Sequence, residues 1–254
     1  MKSLSLVLIF LVGSVALEAS FFPNVSTQRK GLMMAQQSPE QHEPSLVDRK
    51  VWDLRLSKLQ DRFQAMVAAQ GGELKLKMNW QSTRLNAIAT KQDHLWVIEF
   101  HGGLVSQPQI GMREFSLIFC HELGHFLGGD PKASRGGWSS TEGQADFWST
   151  QSCFKKTQEM WESLSQSKEA QDFCLKQSLI GSVDILLCEQ TIETSLLLTR
   201  YYATMTQSSF WPQLSNPARE AERTNFGYPD PDCRLKTLVS GFFDYQRPSC
   251  WFKP

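Results

Sequence analysis

The chain has 254 residues, with 26 Lys and Arg against 26 Asp and Glu, and 41% of its residues are hydrophobic. That length supports one good core or two small lobes flanking a cleft. A formal net charge of zero, with no dense basic patch and no Walker or dinucleotide loop, leaves nothing to attract nucleic acid or an anionic membrane.

The first 19 residues read as a secretory leader: Lys2 is a short positive region, residues 4–12 are apolar, and small residues follow. Ser14-Val15-Ala16 offers one cleavage site and Ala19 another; a retained N-terminal anchor is the alternative. No cysteine lies nearby, so lipoprotein processing does not fit. Residues 20–47 are polar and expected to be flexible, as a linker or a short pro-segment. Asn24-Val25-Ser26 matches a glycosylation acceptor, which carries no meaning in a bacterial chain. Cys120, Cys153, Cys174, Cys188, Cys233 and Cys250 all follow the leader, which predicts a secreted or periplasmic protein with up to three disulfides. Cys233 with Cys250 is the preferred pair, because it would staple the tail.

Residues 48–254 are expected to form the folded domain. Trp52, Leu56, Leu59, Phe63 and Met66 follow a helical period over about 48–69, ended by Gly71-Gly72. Leu74, Leu76, Met78 and Trp80 alternate with polar residues and predict a strand. Residues 85–90 are a second short candidate. Trp96-Val97-Ile98-Glu99-Phe100 is a third, ending at His101-Gly102-Gly103.

The sequence His121-Glu122-Leu123-Gly124-His125 carries the most chemistry. Residues four apart share a helix face, so His121 and His125 can present two imidazoles to one zinc ion. Glu122 is poorly placed as a third ligand and better placed to take a proton from water. Apolar residues 115–120 lead into this helix, and Gly128-Gly129 with Pro131 beyond ends it. Cys120 points about 100° away from His121, since a turn takes roughly 3.6 residues; it is expected in a disulfide or the core. The plainer alternative is a buried amphipathic helix with satisfied histidines.

Glu142 and Asp146 are also four apart. Thr141 fits a helix cap, and Ser139 with Glu142 fits the capping-box spacing. Glu142 reads as the third metal ligand. Asp146 reads as the carboxylate that accepts the other N–H of a ligating histidine. Gly143 and Ala145 keep the helix surface small for close approach to the first helix. Water would take the fourth metal position, as in catalytic rather than structural zinc sites.

This pattern resembles the gluzincin metallopeptidases, and within them the branch carrying His-Glu-x-x-His followed by Glu-x-x-Ala-Asp, here His121, Glu122, His125, Glu142, Ala145 and Asp146. Asn86-Ala87-Ile88-Ala89 resembles the Asn-Ala segment on a strand before the active helix in such proteins. The likeness covers about residues 84–150. It implies an α+β, zincin-like fold with a small mixed sheet, an active-site helix and a mainly helical C-terminal half. It also implies one Zn2+ per chain, held by His121, His125 and Glu142, with Glu122 as base and Asp146 in support. Many zincins place the strand before the active helix at the sheet edge, so residues 96–104 are expected to line the peptide cleft. An oxyanion donor is expected from His101, Tyr201 or Tyr202, with Tyr228, Tyr245 and Arg200 as further options.

Residues 158–179 and about 187–207 look helical. Residues 179–198 are interrupted by Asp184, Glu189 and Glu193, so they do not read as a membrane span. From Pro217 the chain reads as a non-repetitive wrap pinned by disulfides. The expected function is a zinc endopeptidase acting on a peptide or protein. The alternatives are a hydrolase of cell-wall peptide and a non-catalytic zinc-binding or structural protein on the same scaffold. No nucleic acid and no membrane span after leader cleavage are expected.

Overall fold

The computed structural model describes residues 19–22, 46–161, 166–209, 211–217 and 219–254. The apolar leader region, the Ser14-Val15-Ala16 cleavage site and Asn24 lie outside them. The chain is α+β. In order it forms β1 (Ala19–Ser20), α1 (Leu46–Ala68), β2 (Glu73–Asn79), β3 (Ala87–Gln92), β4 (Leu95–His101), α2 (Gly102–Val105), α3 (Met112–Leu127), α4 (Glu142–Trp148), α5 (Lys168–Ser178), α6 (Ile185–Met205) and α7 (Pro231–Phe242). A π-turn (Ser149–Cys153) and a 3-10 turn (Phe154–Met160) follow α4.

The sheet runs β1-β3-β4-β2, with β2 parallel to β4 and the other pairs antiparallel. Alternation decides its faces. Leu74 and Leu76 turn inward while Lys75 and Lys77 face water. Trp96, Ile98 and Phe100 of β4 share the covered face; Trp96 stacks on Phe126 and Phe100 meets Phe115, both on α3. Trp52 and Phe63 bring α1 onto the same helix, against Phe115 and Phe119. Helix α1 also shields the β2 edge: the Leu74 and Leu76 amides donate to Gln64 and Gln60 side chains, both at 2.9 Å.

Two expectations change. The strand at 96–104 is not an edge, because β4 is paired on both sides by β3 and β2; the edge beyond β3 is the one that faces β1. Residues 20–22 are not part of a loose segment either. Residues 19 and 20 pair with Ala89 and Ile88 of β3, and Phe21 and Phe22 are each 1% exposed.

The C-terminal half is helical, as expected, but the tail is not wholly irregular, since α7 supplies three turns within it. Disulfides join Cys120 on α3 to Cys153 on the π-turn, Cys174 to Cys188 across α5 and α6, and Cys233 on α7 to Cys250 in the tail. No helix among the described residues is long and apolar enough to cross a membrane. These features are compatible with an exported protein.

Helices α3 and α4 meet with almost no side chain between them. A Cβ on Gly124 would lie 2.9 Å from the Ala145 carbonyl oxygen. Gly143 serves a different contact, the Trp251 indole of the tail, which a Cβ there would approach to 2.4 Å. Gly124→Ala is expected to lower stability by about 1–3 kcal/mol through overpacking, seen as a lower urea midpoint at unchanged m-value. By parting α4 from α3 it should also weaken metal binding.

Candidate metal centre

Helix α3 is buried along nearly its whole length, which fixes the histidine rotamers by packing. His121 and His125 stand one turn apart with their Nε2 atoms 3.1 Å from each other. Thr141 caps α4, its side chain accepting the Gln144 amide at 3.3 Å, and this sets Glu142 in the first turn. Glu142 Oε2 lies 3.2 Å from His121 Nε2, and its Oε1 lies 3.7 Å from His125 Nε2. One ligand atom from each of the three residues falls within 4.8 Å of the others.

The outer ring nitrogens settle the tautomers. His121 Nδ1 donates to Asp146 Oδ1 at 2.7 Å, and His125 Nδ1 donates to the Ser140 carbonyl at 2.9 Å. A carboxylate and a carbonyl only accept, so each Nδ1 carries a proton and both Nε2 atoms face one point. Without a metal the second proton of His121 supplies the positive charge between its Nε2, the His125 Nε2 and the Glu142 carboxylate, and a divalent metal ion would take that proton's place. This donor set therefore fits a divalent metal ion held by His121, His125 and Glu142.

The electrostatics point the same way. Burial works against a charged His121, yet Asp146 and Glu142 together push its pKa up to about 9. Burial brings His125 down to about 4, against the pull of Glu142. Burial raises Glu122 well above the usual carboxylate range, and the Glu142 charge adds to this. Both Glu122 oxygens are buried without a hydrogen-bond partner. The backbone amides of Phe21 and Ala89 oppose the shift without reaching hydrogen-bond geometry. Burial would raise Asp146 too, but Arg234 and His121 hold it at about 2.

Arg234 is the residue the sequence did not disclose. Its Nε donates to Asp146 Oδ2 at 2.8 Å and its Nη2 to Oδ1 at 2.7 Å, a paired geometry that suits guanidinium. Its Nη1 donates to the Phe21 carbonyl at 2.7 Å. An arginine 88 positions beyond Asp146 gives no local signal; only the fold of α7 brings it under α4.

Of the expected oxyanion donors, Tyr201 packs edge-on against Phe22, and its buried hydroxyl has no hydrogen-bond partner. Tyr202 stacks on Phe22 and lies beside the Arg234 guanidinium. His101 is buried at the end of β4, 3.8 Å from Glu99, and is not among the converging ligands. Arg200 is committed to Glu169 and the Pro212 carbonyl, while Tyr245 is half exposed and bonds Gln177; neither joins the metal residues. Comparison with protein-family models, curated proteins and solved structures gives no match.

Two outcomes follow from this geometry. Asp146→Asn should lower metal affinity about 10–100-fold, measured by competition with a chromophoric chelator. His121 has a folded-state pKa of about 9 against an ordinary 6.5. In chelator-treated protein its contribution to stability is thus fully present below about pH 6.5 and lost as pH rises through about 9. Melting temperature should fall across that window, and added divalent metal should remove the fall.

Proposed function

We propose that this protein is an exported zinc-dependent endopeptidase of the gluzincin type. The observation that carries the reading is an unpartnered, buried Glu122 carboxylate beside two imidazole Nε2 atoms and the Glu142 carboxylate. A purely structural metal site needs no such base. Zinc suits two nitrogen donors and one oxygen donor with a position left open. The small mixed sheet, motif helix and helical second half support a zincin-like fold.

When bound, zinc supplies Lewis acidity, which acidifies water and polarises a peptide carbonyl. The residues do the rest. Glu122, with its raised pKa, takes a proton from the attacking water and delivers it to the leaving amine nitrogen. Asp146 holds His121 in the Nδ1–H tautomer, and Arg234 holds Asp146 ionised. Tyr201, whose buried hydroxyl has no hydrogen-bond partner, is the candidate oxyanion donor. Proteins and cell-wall peptides are both open to this chemistry.

A second reading, a non-catalytic metal-binding protein, draws on one observation. His121, Glu122 and His125 are at most 1% exposed behind Phe21.

Glu122→Gln separates the two. It should keep one zinc per chain by elemental analysis and lose peptide hydrolysis at least ~100-fold, scored by mass spectrometry on a proteome-derived peptide library. His125→Ala should lose the metal. Equal cleavage by Glu122→Gln and parent protein would sink the peptidase assignment.

A further inference from the structure

Residues 19–22 touch the rest of the described chain as a bound peptide touches its receptor. The backbone of residues 19 and 20 extends the sheet, antiparallel to the β3 edge, in the register Ala19 to Ala89 and residue 20 to Ile88, and the chain bends at Phe21 and Phe22. Where the ladder stops, a side chain takes over. The Phe22 amide donates to Asn86 Oδ1 at 3.1 Å, and Asn86 Nδ2 donates back to the Phe22 carbonyl at 3.0 Å. One side-chain amide thus satisfies both polar groups of a single residue. Such main-chain bonding holds an extended peptide whatever its side chains.

The side chains fill two aromatic subsites. The Phe21 ring meets His121 edge-on at 4.8 Å and lies under the Arg234 guanidinium at 4.3 Å. The Phe22 ring sits against Tyr201 at 5.7 Å and Tyr202 at 6.2 Å. Arg234 also takes the Phe21 carbonyl. Every group that grips the segment belongs to β3, α3, α6 or α7 or to the loop before β3. None of the disulfides reaches it, and its ladder is only two residues long.

We infer that residues 19–22 are a displaceable intramolecular ligand of the peptide cleft, and that this cleft takes a peptide with two successive aromatic side chains. The inference rests on the peptidase reading for what happens after binding, though not for binding itself. Cleavage at Ser14-Val15-Ala16 would leave residues 19–22 on the chain, and cleavage at Ala19 would still leave Phe21 and Phe22 with their Asn86 and Arg234 partners. Either way the chain carries its own occupant, which closes the cleft over His121 and Glu122. Hydrolysis requires that this strand leave, and a peptide of matching chemistry competes for the same edge.

The test is amide hydrogen exchange on the full metal-loaded chain, with and without acetyl-Ala-Ser-Phe-Phe-amide. At about ten times its observed Kd the peptide should displace the segment in about nine chains in ten, so the exchange protection of Phe21 and Phe22 should be all but lost. Exchange of Ile98 and Phe100 in β4 should not change, and acetyl-Ala-Ser-Asp-Asp-amide should have no effect. Failure of the Phe-Phe peptide to bind, or protection of residues 20–22 that tracks β4 in its presence, would overturn the inference by marking the segment as a fixed strand. Phe22→Ala provides a second reading: tighter peptide binding at unchanged zinc content supports the inference, whereas weaker binding with a lowered melting temperature overturns it. Because exchange reads binding, a chain that takes up the peptide and hydrolyses nothing loses only the peptidase reading. A chain that cleaves other peptides but never takes up this one loses only the present inference.

Discussion

Two imidazole Nε2 atoms stand 3.1 Å apart, turned toward each other, and a carboxylate completes the cluster. In a buried, low-dielectric setting this arrangement needs positive charge within it, supplied by the second proton of His121 or by a metal ion in its place. Much of the surrounding structure holds that arrangement in place. Helix α3 is packed on nearly every side, so the rings cannot swing away. The Asp146 carboxylate and the Ser140 carbonyl take the outer protons and keep both Nε2 atoms facing the cluster. A site built this way is preorganised for a cation rather than assembled by it.

Its support depends on a second buried charge. Asp146 would be costly alone at 0% exposure, and Arg234 at 1% would be no cheaper. Together they satisfy each other through two hydrogen bonds, and removing either would strand the other. The pair also ties α7 to α4, so the helical half of the molecule acts on the metal residues through one guanidinium. The Cys233–Cys250 disulfide fastens α7 to the tail, and Trp251 of that tail packs on Gly143. Tail, α7, α4 and the metal residues therefore form one continuous chain of contacts.

Closure of the cleft has a different character. The groups around Phe21 and Phe22 are permanent features of β3, α3, α6 and α7, whereas the segment they hold contributes only two ladder residues. The same Arg234 that orders Asp146 also grips the Phe21 carbonyl, which couples the support of His121 to the segment lying across it.

The chemistry was legible in the residues because it is local. His121 and His125, like Glu142 and Asp146, are four apart, and helix geometry alone puts each pair on one face. Periodicity likewise placed α1, the strands and α6 to within a few residues, since burial on one face leaves a period of two or three to four. The covalent frame was legible only in part: the Cys233–Cys250 pair followed from the tail, while Cys120–Cys153 and Cys174–Cys188 needed coordinates. Strand order was not legible, because any apolar strand fits an interior or an edge position until its neighbours are known; residues 96–104 proved interior for that reason. Polar, Pro-bearing surroundings concealed the strand at residues 19 and 20, whose pairing partners lie some 70 positions away. Arg234 was beyond reach of any local rule. The sequence by itself determined which side chains can meet a metal, through spacing on a helix. Only the tertiary structure decided which distant charge steadies them and which segment lies across them, because those contacts join residues between 64 and 213 positions apart in the chain.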